Sequence, residues 1–417
     1  MMYIAVVRAG ETLDAVAART GVTVDQLVTA NGLKYRDVTT GQALLVPANR
    51  YVAEKGTTLW RLAELSGVPL EALKRANPGA DRALYPGRPL RIPEPVKQRA
   101  EVIGYLPITD PGVNAADIQP WARDLTYVAI FSHLITPEGD LPPISDTEPI
   151  RATYAAGARP LMSIANMRAG GAFDPEIARA IITNSGVRER VMSTILHRVD
   201  EKGYAGVDSD IENIPRDLRS GYVDFLRELK ARLGQRPLNV AVPPKYDETT
   251  FAYARGHDYQ GIGRVADRVY IMDYEFHWVG GPPGPVAPLP QYRRVLQYAA
   301  SLMPKEKILA GISTTAYDWP LPDTPDNKAR PWPDDDAVQL AVRSKATIRY
   351  DERAETPWFR YTEEGTQREV WFEDARSIMA KFRVNRDLNI GGIGIWQLGA
   401  LNSQLVRLIP YFYAVQR

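Results

Sequence analysis

The chain has no cysteine among its 417 residues and only four histidines. The absence of cysteine excludes disulfides, thiolate metal ligands and a cysteine nucleophile. The histidines stand at positions 133, 197, 257 and 277, a spacing that matches no metal site. No cofactor-binding motif accompanies them, so we expect neither a metal nor a cofactor.

The sequence also lacks an excess of charges of either sign. The formal net charge of +1 argues against electrostatic binding to nucleic acid or to a membrane surface. No run of about 18 apolar residues occurs, and the N-terminus lacks a basic segment followed by an apolar one, so we expect neither a membrane span nor a signal peptide. With 45% apolar and 24% charged residues, the sequence is typical of a globular protein of two or three domains, which we expect to be a monomer.

The first hundred residues contain an internal repeat. The stretches "GETLDAVAARTGVTVDQLVTAN" and "GTTLWRLAELSGVPLEALKRAN" match under one constant offset of 46 positions. In each, a short strand leads to a threonine suited to cap a helix, Thr12 or Thr58, and a glycine ends that helix. A second helix and a closing strand follow. The pattern predicts two βααβ units, at residues 1–48 and 49–94.

Both units resemble the LysM family. The resemblance implies binding of glycans that contain N-acetylglucosamine, such as peptidoglycan or chitin, in a groove between the loop after the first strand and the loop before the last. It places the glycan contacts at Gly10, Thr12, Leu13 and Asn31, and at Gly56, Thr58, Leu59 and Asn77. The same glycines and threonines would also serve as plain turns and caps. Two tethered sites would gain apparent affinity on a repeating polymer.

From about residue 99, apolar stretches alternate with amphipathic helices. Eight strands are predicted, at "AEVIGYLPI", "LTYVAIFSHLI", "ARPLMSIAN", "YAGVDSDIE", "PLNVAVPPK", "DRVYIMDYE", "ILAGISTTAYDW" and "IGGIGIWQLG". Eight strand–helix units over residues 99–417 predict a (β/α)8 TIM barrel of the α/β class. A doubly wound sheet is the alternative, but no glycine-rich phosphate loop follows the first strand. The segment at about 320–388 is too long for a loop, and it predicts a small α+β insertion between strands 7 and 8.

Three acids alternate with apolar residues in the fourth predicted strand. Asp208, Asp210 and Glu212 occupy every second position, with Val207 and Ile211 between them. Since side chains alternate between the lumen and the helix layer of a barrel, the acids are expected in the lumen, with Glu212 at the C-terminal rim where barrel enzymes carry out their chemistry. An acidic solvent face on a surface strand is the alternative.

The stretches "GVDSDIE", "YIMDYE" and "GGIGIWQLG" resemble the motifs of glycoside hydrolase family 18. The family usually has aspartate where this chain has Ala205. The resemblance implies a retaining hydrolysis in which the substrate's own acetamido oxygen attacks the anomeric carbon. Glu212 would be the general acid and then the base, Asp210 would orient the acetamido N–H, and Asp208 would lie behind Asp210 and titrate with it.

The same resemblance assigns roles on two other strands. Tyr274 would donate to the acetamido carbonyl, and Trp396 would form the apolar floor under the sugar, although both could be ordinary packed residues. Glu275 is either a substrate contact or a surface acid. The further candidate substrate contacts are Met272, Asn166 and Tyr105.

Paired LysM units before such a barrel resemble the SleL-type spore cortex-lytic enzymes of endospore-forming bacteria. The resemblance implies an N-acetylglucosaminidase that cleaves cortex peptidoglycan and lies in the spore coat or cortex region. It would be made in the mother cell without a signal peptide; the cell wall or the exterior is the alternative location. The rival functions are a chitinase-type enzyme acting on chitin oligomers, and a glycan-binding spore coat protein without activity.

Overall fold

The computed structural model describes residues 1–82, 84–108, 111–168, 170–324 and 328–417. It confirms two small βααβ units at the N-terminus. The first unit contains β1 (Tyr3–Val6), α1 (Leu13–Thr20), α2 (Val24–Asn31) and β2 (Ala43–Val46). The second contains β3 (Arg50–Val52), α3 (Leu59–Ser66), α4 (Leu70–Ala76) and β4 (Pro89–Arg91). In each unit the two strands pair in antiparallel fashion.

The predicted caps fix where the first helix of each unit begins. The Thr12 side chain accepts from the amide of Ala15, and the Thr58 side chain accepts from the amide of Arg61. The glycines that end the two helices adopt left-handed backbone angles, which glycine adopts without steric cost.

The two units also contact each other through a charged pair. Arg8 forms an ion pair with Glu54, the residue that occupies the same position in the other repeat. The rings of Tyr3 and Tyr51 meet edge to face at 5.2 Å beside them. The repeats therefore form one small body with a shared apolar core.

A closed barrel follows. Its first part contains β5 (Gln98–Pro107), α5 (Pro111–Asp117), β6 (Tyr127–Leu134), α6 (Thr147–Ala155), β7 (Arg159–Ala165), α7 (Pro175–Thr183), α8 (Ser185–Lys202), β8 (Gly206–Asp210), α9 (Arg219–Leu233), β9 (Leu238–Val242), α10 (Tyr259–Val265), β10 (Arg268–Ile271), α11 (Leu289–Leu302) and β11 (Ile308–Ser313). An insertion follows, with β12 (Thr315–Leu321), β13 (Arg330–Pro333), α12 (Asp334–Arg343), β14 (Arg349–Asp351), β15 (Thr356–Glu363) and β16 (Thr366–Trp371). The chain ends with α13 (Ala375–Leu388), β17 (Gly392–Trp396), α14 (Ser403–Phe412) and β18 (Tyr413–Val415).

The eight parallel barrel strands lie in chain order, and β17 pairs with β5 to close the sheet. This confirms the predicted (β/α)8 architecture. Val207 on β8 and Ile211 just after its end belong to the core between strands and helices, together with Phe225 and Leu229 of α9. The lumen holds a separate apolar cluster that includes Tyr105. Within the described residues, every helix is too short or too polar to cross a bilayer.

The insertion begins earlier in the chain and ends earlier than the expected 320–388. Its five-stranded antiparallel sheet begins at Thr315, two residues after β11 ends. The apolar stretch "ILAGISTTAYDW" covers both strands without a proline, asparagine or second glycine to mark the change of sheet, so it suggested a single strand. At the other end, α13 packs against α11 and α14 and is a helix of the barrel.

A buried ion pair fixes the base of the insertion. Asp318 on β12 is fully buried and accepts from Arg368 on β16 at 2.8 Å. The Tyr361 hydroxyl donates to the other carboxylate oxygen at 2.9 Å, and Trp332 donates to the same oxygen at 3.4 Å. These bonds join four strands of the insertion sheet, β12, β13, β15 and β16.

We expect Arg368→Leu to destabilise the protein by about 3–5 kcal/mol, because it leaves Asp318 buried without its cation. The double variant Arg368→Leu with Asp318→Asn should recover part of this loss. Chemical denaturation followed by tryptophan fluorescence measures both. An unchanged unfolding midpoint for the single variant would show that the pair contributes nothing.

Candidate active site

Strand β8 places Asp208 at the base of the site. Ser163 on β7 and Asn239 on β9 lie in register with Asp208, one on each side. The Ser163 hydroxyl donates to one carboxylate oxygen at 2.7 Å, and the Asn239 amide and the Tyr105 hydroxyl donate to the other. Burial raises the pKa of Asp208 to about 6, although these three hydrogen bonds favour the charged form. Asp208 is therefore a fully enclosed hydrogen-bond acceptor.

Asp210 is the least supported of the three acids. It is 4% exposed, and among the described residues its buried Oδ1 has no hydrogen-bond partner. Burial raises its pKa well above the usual range, and the neighbouring charges of Glu212 and Asp208 raise it further. A buried acceptor without a partner is costly, so this atom is suited to receive a donor from a ligand.

Glu212 stands at the carboxyl end of the strand, where Asn166 holds its backbone. The Glu212 amide donates to the Asn166 side-chain oxygen at 2.8 Å, and the Asn166 amide donates to the Glu212 carbonyl oxygen at 2.9 Å. Burial raises the pKa of Glu212 to about 7, and the charge of Glu275 adds to this effect. The carboxyl group is thus partly protonated near neutral pH on a fixed backbone.

A hydroxyl group of the insertion contacts an acid at this rim. Tyr317 on β12 donates to Glu275 Oε1 at 2.7 Å. Burial raises the pKa of Glu275, while this hydrogen bond lowers it. Because Glu275 in turn raises the pKa of Glu212, a residue of the insertion is linked to the proton affinity of the rim carboxyl group.

Aromatic rings line the lumen beside the acids. Tyr270 stacks on Tyr105 at 4.7 Å, and Trp396 lies 6.0 Å from Tyr105 and 5.1 Å from Phe131. The Tyr270 hydroxyl donates to the Tyr274 oxygen at 2.9 Å. Because Tyr274 accepts this bond, its own hydroxyl hydrogen remains available to a ligand.

The structure separates the predicted contacts into those at the cleft and those that support it. Tyr274, Glu275, Met272 and Trp396 all belong to the lumen or its rim. Two predicted substrate contacts need correction. Asn166 is fully buried, and both hydrogens of its amide are donated to backbone oxygens. Tyr105 is 1% exposed, and its hydroxyl is bonded to Asp208, so both residues position other groups instead of touching substrate.

Several residues of the site were not identified from the sequence. Ser163, Asn239, Tyr270 and Tyr317 each bond to one of the predicted residues. A signal existed for Asn239, because a polar amide in the middle of the apolar stretch "PLNVAVPPK" requires a buried partner. Tyr317 gave no such signal, since its contact depends on how the insertion folds over the rim.

The eight LysM residues that were predicted to contact glycan also divide into buried and exposed positions. Leu13 and Leu59 are core residues, 2% and 6% exposed. The amides of Asn31 and Asn77 join the end of the second helix to the closing strand, through bonds to the backbone of Leu45 and Arg91. The prediction that these four side chains contact glycan is therefore corrected. The remaining four, Gly10, Thr12, Gly56 and Thr58, are exposed in the loop after the first strand.

Burial of Glu212 predicts a measurable effect of pH on stability. Its pKa in the folded protein, about 7, exceeds the ordinary value of 4.5, so the folded state gains stability from this group below pH 4.5 and loses it as the pH rises through 7. Glu212→Gln removes the penalty. Allowing for partial exposure, we expect the variant to be more stable than the parent by about 2 kcal/mol at pH 8 and equal to it at pH 4.

Denaturant titrations at the two pH values measure this difference. Glu138→Gln, in an exposed loop, serves as the matched control. The same gain at pH 4 and pH 8 would contradict a titration effect and indicate a packing effect instead.

Comparisons with known proteins agree with this geometry. The family model for glycosyl hydrolases family 18 matches residues 137–400, and the LysM domain model matches residues 5–47 and 51–93. A cortical fragment-lytic enzyme of Bacillus anthracis is 34% identical, with 100% of both chains covered.

Two solved structures resemble the whole chain. The spore cortex-lytic enzyme SleL of Bacillus cereus superposes with a TM-score of 0.91 at 32% identity, covering 100% of this chain and 98% of that one. SleL of Bacillus megaterium QM B1551 gives a TM-score of 0.85 at 32% identity, covering 100% and 99%. The chain therefore belongs to glycosyl hydrolase family 18 and carries two LysM domains in front of its barrel.

Proposed function

We propose that this protein is a peptidoglycan N-acetylglucosaminidase that cleaves β-1,4 bonds after N-acetylglucosamine in spore cortex or its fragments. The observation that carries the proposal is the row of three acids at every second position, with Asp208 and Asp210 on β8 and Glu212 just after its end, at the rim of a closed barrel. The substrate class is supported by relatives that are named for cortex lysis and that resemble the chain from end to end.

Glu212 acts first as an acid. With a pKa of about 7, it holds a proton in a large share of molecules near neutral pH. It transfers this proton to the glycosidic oxygen as the bond to the anomeric carbon breaks. The acetamido oxygen of the same sugar bonds to that carbon and forms an oxazolinium ring. Glu212 then takes a proton from water, whose oxygen attacks the anomeric carbon and reopens the ring with net retention.

Asp210 and Tyr274 orient the acetamido group. The Tyr274 hydroxyl donates its free hydrogen to the acetamido oxygen, which brings this oxygen towards the anomeric carbon. The unpartnered Asp210 Oδ1 accepts the acetamido N–H, whose acidity rises as positive charge develops on the ring. Asp208, held by its own three donors, supports Asp210 from below. Trp396 and Met272 form the apolar floor, and Glu275 contacts the sugar at the rim.

The LysM domains bring the enzyme to its polymer. The predicted glycan contacts that lie exposed on these domains, outside the barrel, are Gly10, Thr12, Gly56 and Thr58. Binding and cleavage then reside in separate parts of a monomer. The enzyme acts in the spore coat or cortex region, in line with the names of its relatives.

We expect Glu212→Gln to lower kcat on soluble cortex fragments by about 10²–10⁴-fold, because the amide cannot transfer a proton. Sedimentation with insoluble peptidoglycan should show unchanged binding. Glu138→Gln is the control for loss of an exposed carboxylate. Retention of most of the parent rate by Glu212→Gln would show that another group is the acid.

Products of the parent enzyme identify the substrate. Mass spectrometry of reduced products should find N-acetylglucosamine at the new reducing end, and NMR during turnover should detect the β-anomer first. Cleavage of chitin oligomers without cleavage of cortex fragments would assign the protein to chitinase-type hydrolysis. Intact polymer binding with no hydrolysis of either substrate would indicate a glycan-binding coat protein.

We expect Glu275→Gln to shift the upper pH limit of kcat/KM to lower pH, because the charge that raises the pKa of Glu212 is removed. Tyr317→Phe should shift the limit in the same direction by less, since loss of its hydrogen bond makes Glu275 easier to protonate. A pH–rate series on one soluble substrate measures both. A uniform loss of rate without a shift would mean that Glu275 acts only as a substrate contact.

A further inference from the structure

The two LysM domains attach to the rest of the molecule through opposite ends. At Gly41, in the loop before β2, a side chain would collide with the backbone oxygen of Ile348, whereas the equivalent Gly87 has open space around it. At the end of the first helix the relation is reversed. A side chain at Gly67 would collide with the ring of Phe412, whereas the equivalent Gly21 faces open space. The two LysM domains, which have nearly the same fold, therefore contact the rest of the molecule through different surfaces.

The loop of the first domain is fastened to the insertion. The Thr39 hydroxyl donates to the carbonyl oxygen of Ala346 at 2.7 Å. The Ile348 amide donates to the carbonyl oxygen of Thr40 at 2.9 Å. This loop, at residues 32–42, is one of the two loops between which a LysM domain is expected to bind sugar.

Barrel residues also close the space beside this loop. Gln404 of α14 donates to Asn31 Oδ1 at 2.8 Å and to the carbonyl oxygen of Ala43 at 2.9 Å. Between Asn31 and the insertion there remains a cavity of about 20 Å³. This volume holds about one water molecule and has no room for a sugar ring.

The second domain presents the corresponding surface to solvent. Tyr85, which stands where the first domain has the buried Thr39, is 60% exposed. Trp60 is also 60% exposed, but it lies on another face, where it borders a groove with Ile4 of the first domain and Arg383 of α13. Exposed aromatic rings with a polar edge are the side chains on which amphipathic ligands such as sugars pack.

We propose that glycan binding outside the barrel resides in the second LysM domain alone, with Tyr85 as its stacking contact. The first domain fastens this binding unit to the insertion. The inference rests on the proposed targeting function and replaces the expectation of two sites that bind the polymer together.

Matched tyrosine variants test the inference in the full-length chain. With Glu212→Gln as background, so that the polymer stays intact, binding to insoluble peptidoglycan is measured by sedimentation. Tyr85→Ala should weaken binding about tenfold, as loss of a central aromatic contact does. Tyr35→Ala removes a tyrosine of the first domain's loop that is 61% exposed, and it should change binding less than twofold. Equal losses, or a larger loss for Tyr35→Ala, would overturn the inference.

Hydrogen exchange with a soluble N-acetylglucosamine tetramer gives a second readout. Protection is expected in segments 56–60 and 78–88 and in neither 10–13 nor 32–42. Protection in the first domain, or in neither domain, would overturn the inference. Hydrolysis of soluble cortex fragments is measured separately, with the parent chain. A parent without hydrolysis would refute the proposed enzymatic function, while the binding data would still decide between the two domains.

Discussion

Burying the carboxyl groups of Asp208, Asp210 and Glu212 costs free energy, and the barrel residues around them are arranged to offset part of this cost. The three acids receive different support from the residues around them. Asp208 receives two hydrogen bonds from neighbouring strands and a third from Tyr105 on β5, and Asp210 keeps one buried oxygen without a partner among the described residues. Glu212 is held through its backbone by Asn166. The protein thus stabilises a charged group at the base and keeps a transferable proton where a substrate enters.

The insertion connects this chemistry with the N-terminal domains. On one side Tyr317 bonds to Glu275 at the rim, and on another side Ile348 receives the loop of the first LysM domain. The buried pair of Asp318 and Arg368 stiffens the sheet between these contacts. The insertion is therefore a structural bridge as well as a wall of the cleft.

The sequence was sufficient for features that depend on local periodicity. The two-residue repeat of acids with Val207 and Ile211 between them indicated which side chains face the lumen, and the caps at Thr12 and Thr58 marked the helix starts correctly. Contacts between distant segments could not be predicted. Asn166 was expected to touch substrate because it ends a strand, yet its partner is the backbone of Glu212, 46 positions away. The asparagines of the repeats were misassigned for the same reason, because their buried bonds close each fold.

The ion pair between Arg8 and Glu54 has a consequence for how the tandem array can change. Equivalent positions of a duplicated unit face each other there, and they now carry opposite signs. A chain with two copies of the first unit would set arginine against arginine, and one with two copies of the second would set glutamate against glutamate. The duplicates thus carry complementary charges at this contact, and replacing either unit by a copy of the other would exchange an attraction for a repulsion.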